Sequence, residues 1–195
     1  MDMAFNPDQI GLLDSVTKLA APFRLPPPNA RETLLTSSEL ERQLTEAGFR
    51  DVARYEGMGP LDAVLVGETV HALPYSVEFI GSALLGKALD LEFAGPVALL
   101  EAPAETPARF LAAGCTALIA DGEDVRIVAV TADMVDPVPS PFAYPLGKLK
   151  PGASSAGTVL KDAAAGMRLW WNLALAVDIA ISTTWSFASG ARPAV

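Results

Sequence analysis

The stretch from Gly59 to Leu89, GPLDAVLVGETVHALPYSVEFIGSALLGKAL, constrains the fold of this chain more than any other. Two apolar helical patterns meet there at Pro74. The first predicts Leu61, Val64, Leu65 and Leu73 on one side, with Asp62, Glu68 and Thr69 off it. The second predicts Phe79, Ile80, Ala83, Leu84 and Leu85 together. Recurrence at i, i+3 and i+4 marks amphipathic helices, and both stripes are wide enough to face a core. Pro60 suits a first helical position, where its missing N–H is no loss. Pro74 disfavours helix at Leu73, so the first helix should stop or bend there. The expectation is a bent, buried helix pair at the centre of the core.

The segments before it read as helices too. Residues 7–21 open with Asn6 as a cap, Pro7 at the first position and Asp8 at the positive dipole end. Ile10, Leu13, Val16, Leu19 and Ala20 form the predicted buried stripe. Residues 22–36, with Pro26, Pro27 and Pro28, cannot be helical and read as a stiff surface connection. A second helix begins near Ser38, whose spacing to Glu41 is that of a capping box. Leu40, Leu44 and Ala47 follow, and Gly48 supplies a stop.

After Leu89 the texture changes. PVALL (96–100) is a short apolar run. CTALIA (115–120) and VRIVAV (125–130) flank Asp121-Gly122-Glu123-Asp124, a β-hairpin signal with Val125, Ile127 and Ala129 on one face. Prolines at 137, 139, 141, 145 and 151 limit the next segment to edge strands and loops. These strands lie too close together to carry βαβ crossovers, so the sheet should be mainly antiparallel. The fold class expected is α+β: an N-terminal helical domain (1–93), a small antiparallel, barrel-like β domain (94–160), and a long helix in 161–195 opening a C-terminal helical domain.

That last helix, MRLWWNLALAVDIAISTTW, places Leu169, Asn172, Leu173, Ala176, Ala180 and Thr183 on one side. Apolar residues occur nearly all round it, and little chain follows to cover them, so it needs a partner. Residues 169–187 also have nearly the length and aromatic ends of a membrane span. Asp178 near the middle disfavours that reading by about 2.5–3.5 kcal/mol, and Asn172 adds to the penalty.

Total charge narrows the classes further. The net charge is −9 and the 14 basic residues are scattered, whereas a phosphate-tracking surface needs clustered cations. Nucleic acid is therefore not an expected partner. The start, MDMAFNPDQI, lacks the pattern of a signal peptide, and a lone cysteine suits a reducing compartment. A cytoplasmic location is expected.

Residue chemistry alone does not declare an enzyme. His71, the single histidine, could act as a general base but reads more readily as a helix-face residue. Cys115 opens a strand and reads as a buried structural thiol rather than a nucleophile. Ser154 and Ser155 between Gly152 and Gly157 match no phosphate-loop spacing and read as a linker. Glu68 and Asp178 are carboxylates on otherwise apolar helices, where a hydrogen-bonded interface role is commoner than a base. One His and one Cys cannot build a typical zinc site, so no metal is expected.

The order of elements, with six segments, resembles the acyl-CoA dehydrogenase family. PDQIGLLDSVTKLAAPF looks like the family's first helix, and LERQLTEAGF (40–49) like its second helix end. VLVGETVHALPYSVEFIGSALLGKAL looks like its next helix and the pocket helix after it, with Glu68 and Ala72 in register. GPVALLEAP (95–103) lies where the family begins its β domain. CTALIADGEDVRIVAV resembles the hairpin that follows, and KDAAAGMRLWWNLALAVDIAISTTW the first long helix of the C-terminal bundle.

The departures carry equal weight. The family's Thr-Glu-Pro-x-x-Gly-Ser-Asp run, which holds the flavin, corresponds here to Leu100-Glu101-Ala102-Pro103-Ala104-Glu105-Thr106, without the Gly-Ser-Asp end. The catalytic glutamate and the arginine and glycine motifs that grip FAD belong to a bundle almost wholly absent from this sequence. The resemblance implies chemistry on the acyl chain of a CoA thioester, in which a carboxylate removes the α-proton while the β-hydrogen leaves as hydride to flavin. It assigns no catalytic residue to this chain, and no flavin-binding residue. It implies an oxidoreductase subunit that is non-catalytic alone and completes an oligomer through helix 162–187, with itself or another such subunit. FAD would be held mainly by the partner, and the resemblance extends to members acting on acyl-CoA substrates with a bulky, steroid-like chain. Tyr75, Phe79 and Leu84 on the second central helix are the expected acyl pocket. The alternative is a scaffold or binding module that kept the fold and lost the reaction.

Overall fold

The computed structural model describes residues 5–26 and 35–188, the side chains of 182–188 excepted. Pro27 and Pro28, Thr183 with its side chain, and the segment 189–195 therefore lie outside the described residues or side chains. Four helices come first: α1 (Pro7–Ala20), α2 (Ser38–Glu46), α3 (Pro60–His71) and α4 (Ile80–Leu89). Seven strands follow: β1 (Val97–Glu101), β2 (Ala108–Arg109), β3 (Thr116–Asp121), β4 (Asp124–Ala129), β5 (Val135–Val138), β6 (Leu146–Leu149) and β7 (Thr158–Leu160). The helix α5 (Ala164–Ala188) closes the series. The fold is mixed α+β, with the C-terminal helix after the sheet region, as the sequence predicts.

Helix starts follow their capping chemistry. Asn6 Oδ1 accepts from Gln9 N at 2.8 Å and Gln9 Oε1 accepts from Asn6 N at 3.2 Å, a complete capping box. The cap of α2 is Ser37 rather than Ser38: Ser37 Oγ accepts from Leu40 N at 3.2 Å. Glu41, expected to close that box, turns instead to pair with Arg50. Gly48 ends the segment with φ +74°, a left-handed conformation suited to glycine.

Of the stripe expected on the first central helix, Leu65 and Leu73 are buried and Val64 is half-buried, but Leu61 departs from it. Leu61 is 61% exposed, while Ala63, Val66 and Val70 are fully buried. Close approach explains this, because a Cβ on Gly67 would lie 2.0 Å from Ile80 Cδ1. The small-residue side of α3 lets α4 come near, and the larger Leu61 turns outward. Asp62 is buried too, because its Oδ2 accepts from Gly59 N (2.7 Å) and its Oδ1 from Gln9 Nε2 (3.0 Å). On α1, Ile10 is likewise 57% exposed, and Val16 and Ala20 carry the burial. The α4 pattern is found as read: Phe79, Ile80, Ala83, Leu84 and Leu85 are all buried.

The strands form two open sheets rather than a closed ring, ordered β1-β3-β4-β7 and β2-β6-β5. The hairpin β3–β4 pairs Thr116 with Ala129 through Asp121 with Asp124, turning at Gly122-Glu123. One pair departs from the antiparallel expectation, since β1 runs parallel to β3. The segment between them contributes β2 to the other sheet, so a crossover forms without a helix. β5, which contains Pro137, is an edge strand, where a missing N–H costs no ladder bond. Val125 and Ile127 belong to the cluster shared with α4 and α5, whereas Ala129 is exposed. Val128 and Val130 pack between the two sheets, so β4 buries residues on both faces.

α5 returns from β7 to the helices. Met167 packs with α4 and the four-stranded sheet, and Ala174 and Ile181 join the core of α1–α4. Its outer face carries Leu169 and Leu173, 68% and 45% exposed, with Asn172 and Ala176 also exposed. This is the side on which the sequence pattern places Leu169, Asn172, Leu173 and Ala176. By length and composition Ala164–Ile181 could cross a membrane. Two ion pairs instead tie that stretch to the β module, Arg168–Glu101 and Asp178–Arg109.

Candidate functional site

Three segments converge on one cleft of about 420 Å³: the end of α3 with the turn after it, the residues around β2 and the β5–β6 loop, and α5. Its lining includes His71, Tyr75, Arg109, Phe110, Tyr144 and Asp178. Leu35 pins the turn that follows α3 from outside. Ser76 N donates to Leu35 O at 2.6 Å, and Leu35 N donates to Ala143 O at 2.8 Å.

Inside the cleft Arg109 Nη2 donates to Asp178 Oδ2 at 3.0 Å. His71 Nδ1 lies 3.7 Å from the other oxygen, Oδ1. The Arg109 guanidinium sits 5.1 Å from the Trp171 ring centroid, a cation–π distance. Phe110 and Tyr144 rings meet at 5.3 Å, and Phe142 stacks on Tyr144 at 5.0 Å. Burial pushes the His71 imidazole below its ordinary range, Asp178 opposes that shift, and Arg109 adds to it. The imidazole is therefore neutral at neutral pH. Three buried side-chain atoms among the described residues have no hydrogen-bond partner: His71 Nε2, Arg109 Nε and Asp178 Oδ1. All three belong to this cluster.

The residues singled out in the sequence fall in different places. Tyr75 lines the cleft, whereas Phe79 and Leu84 are fully buried in the helical core and line no cavity described here. His71 and Asp178 come together; Glu68 is exposed and separate from them. Cys115 is buried, and burial pushes its thiol up, which keeps it protonated. It lines a second cavity of about 520 Å³ between α2 and the β module. No metal-binding cluster occurs among the described residues.

Sequence reading missed one buried network. Arg50 Nη1 donates to Glu78 O and to Ser82 Oγ, both at 2.7 Å, and Nη2 pairs with Glu41. Glu78 accepts from Ser82 N (3.1 Å) and from Val97 N (2.9 Å), so it caps α4 and fastens β1 to it. A glutamate inside the apolar run YSVEFIG, four residues before Ser82, was the available signal.

The corner that corresponds to the flavin run of the resemblance offers a diphosphate no free guanidinium or ammonium among the described residues. A cavity of about 380 Å³ there is lined by Glu101, Thr106, Arg168, Trp171 and Asn172, among others. Its single cation, Arg168, already donates to both oxygens of Glu101 at 2.7 and 2.6 Å. The one guanidinium that could meet a diphosphate here is thus already held by a carboxylate.

Neither a protein-family model nor a curated protein sequence matches this chain.

Proposed function

We propose that this chain is an acyl-CoA dehydrogenase-like subunit that completes an oligomer, acting in α,β-dehydrogenation of an acyl-CoA thioester without being catalytic alone. The observation that carries the reading is the course of α5, which leaves the β module, packs on α4 and turns Leu169 and Leu173 outward. That order of helices, β module and returning helix is the one on which the family resemblance rests. An apolar outer face on such a helix suits contact with a second subunit.

In this reading the chain supplies one wall of a shared site, and a partner holds FAD. The flavin-run corner supports that division, because its only cation is taken by Glu101. A cytoplasmic enzyme of lipid or steroid breakdown is the setting this implies. The test is the visible absorption spectrum of the chain, purified alone and with the products of neighbouring genes. A flavin band confined to a co-purified complex that turns over acyl-CoA is the expected result. No flavin in any complex would sink the reading.

The second reading is a non-enzymatic scaffold with the same fold. The same occupied Arg168 favours it, since the cation of that corner is already paired with Glu101. A complex whose acyl-CoA turnover is unchanged by omitting this subunit would support it.

A further inference from the structure

Gly166, Leu169, Asn172, Leu173, Ala176 and Ile179 lie along one side of α5 at helical spacing, and all six are exposed. Only 22% of the stretch Ala164–Ile181 is buried, whereas a core helix would be mostly buried. None of the exposed residues between 165 and 180 is charged. Arg168 and Glu101, which line one cavity with Asn172, pair with each other and cancel. A chain of net charge −9 repels its own copies over most of its surface. On this side two copies can meet without bringing carboxylates together.

The order of large and small residues fixes how they would meet. A parallel copy would set Leu169, Leu173 and Ile179 each against itself, with the small residues facing each other across gaps. An antiparallel copy, turned about a two-fold axis between Asn172 and Leu173, sets Leu169 opposite Ala176 and Ile179 opposite Gly166. Leu173 then faces Asn172. Large meets small at every level, so the side chains interdigitate at an even helix spacing. A Cβ on Gly166 would meet no heavy atom within 4 Å, so the room for Ile179 of a second copy is open. Antiparallel helices also oppose their dipoles favourably.

Asn172 separates this partner from a lipid surface. Its amide both donates and accepts, so two copies beside the axis can satisfy one another, whereas hydrocarbon would leave it unpaired. We infer that α5 pairs antiparallel with α5 of a second copy of this chain, about a two-fold axis beside Asn172. This names the partner for the subunit contact proposed above and rests on that contact, though not on any acyl-CoA chemistry.

The test is disulfide trapping on the full chain, with wild type as the control because its single cysteine, Cys115, is buried. Under mild oxidation Asn172→Cys is expected to form a covalent dimer, since the axis brings that position against its own copy. Leu169→Cys alone is not, because in this register about 10 Å of helix separates it from its copy. An equal mixture of Leu169→Cys and Ala176→Cys chains should give at least tenfold more dimer than either alone.

Leu169→Cys alone crosslinking as readily as Asn172→Cys would mean a parallel pair and overturn the inference. So would no dimer from both Asn172→Cys and the mixture; flotation of the chain with phosphatidylcholine vesicles would then assign the face to lipid. Asn172 is exposed, so Asn172→Cys should keep the wild-type circular dichroism; should it not, the mixture, which leaves Asn172 in place, decides. The flavin test stays separate. A trapped pair with no flavin in any complex would keep the pairing and remove the dehydrogenase reading. A flavin-bearing complex with no trapped pair would do the reverse.

Discussion

Arg109 on β2 and Asp178 on α5 meet at 3.0 Å across 69 residues of sequence, and this contact fastens the long helix to the β module. Both side chains are largely shielded from solvent, so the pair should exceed an exposed ion pair in value. Asp178→Ala is expected to lower stability by about 1–3 kcal/mol, since it strands the guanidinium under Trp171. A urea double-mutant cycle with Arg109→Ala should return a coupling of about 0.5–3 kcal/mol. Additive effects would mean that the contact does not hold α5.

Arg50 is the other fastening, and it is more deeply buried. It serves Glu78 O, Ser82 Oγ, Thr45 Oγ1 and the carboxylate of Glu41 at once. Arg50→Met should cost about 3–5 kcal/mol, because Glu41 and Glu78 then lose their counter-charge. Arg50→Lys should recover little of that, as one ammonium cannot span the same acceptors. Chemical denaturation of the three proteins tests both statements.

Burial raises the Glu41 carboxyl from its ordinary 4.5 to about 7; Arg50 opposes that and Glu78 adds to it. Between those values the folded chain holds a proton that the unfolded chain releases. Stability attributable to Glu41 should therefore fall as pH rises from 4.5 to 7, by up to about 3 kcal/mol. His71 acts in the opposite sense: its depressed folded-state value makes stability fall as pH drops below 6.5. The difference between wild type and Glu41→Gln isolates the first effect. A pH-independent difference across that window would refute it.

The sequence made the helices, the hairpin and the edge strand legible, because Asn6, Gly48, the Asp121–Asp124 turn and Pro137 act through their immediate neighbours. It placed Leu65 and Leu73 inward correctly but did not make legible that Leu61 turns outward while Ala63, Val66 and Val70 turn inward. That depends on how near α4 comes to Gly67, a property of the pair rather than of either helix. The cleft shows the same division. His71 and Asp178 each stood out alone, as the single histidine and as a carboxylate on an apolar helix. Their juxtaposition with Arg109 required the return of α5, which no local pattern encodes.

Two glycines should respond oppositely to alanine. A Cβ on Gly147, in the middle strand β6, would lie 2.0 Å from the backbone oxygen of Leu111 and 2.8 Å from Val135 Cγ2. The backbone oxygen cannot rotate away, so Gly147→Ala should destabilise by about 1–3 kcal/mol. Gly11 in α1 has no heavy atom within 4 Å of such a Cβ, and Gly11→Ala should stabilise by about 0.5–1 kcal/mol. Shifts of the urea midpoint in opposite directions are the expected result.

The outer face of α5 gives the last prediction. Leu169 and Leu173 lie one turn apart and are both exposed, beside exposed Asn172 and Ala176. If that face meets another subunit, the chain at micromolar concentration should sediment above its monomer mass of 20.4 kDa. Leu169→Glu with Leu173→Glu places two charges in the contact and should return the chain to monomer. Neither side chain belongs to the buried clusters, so the doubly substituted monomer should keep its stability within about 0.5 kcal/mol per site. Loss of association with loss of fold would instead make these leucines part of the core. A wild-type chain that sediments as a stable monomer would remove the reason for assigning α5 to a subunit contact, and with it the main support for the shared-site reading.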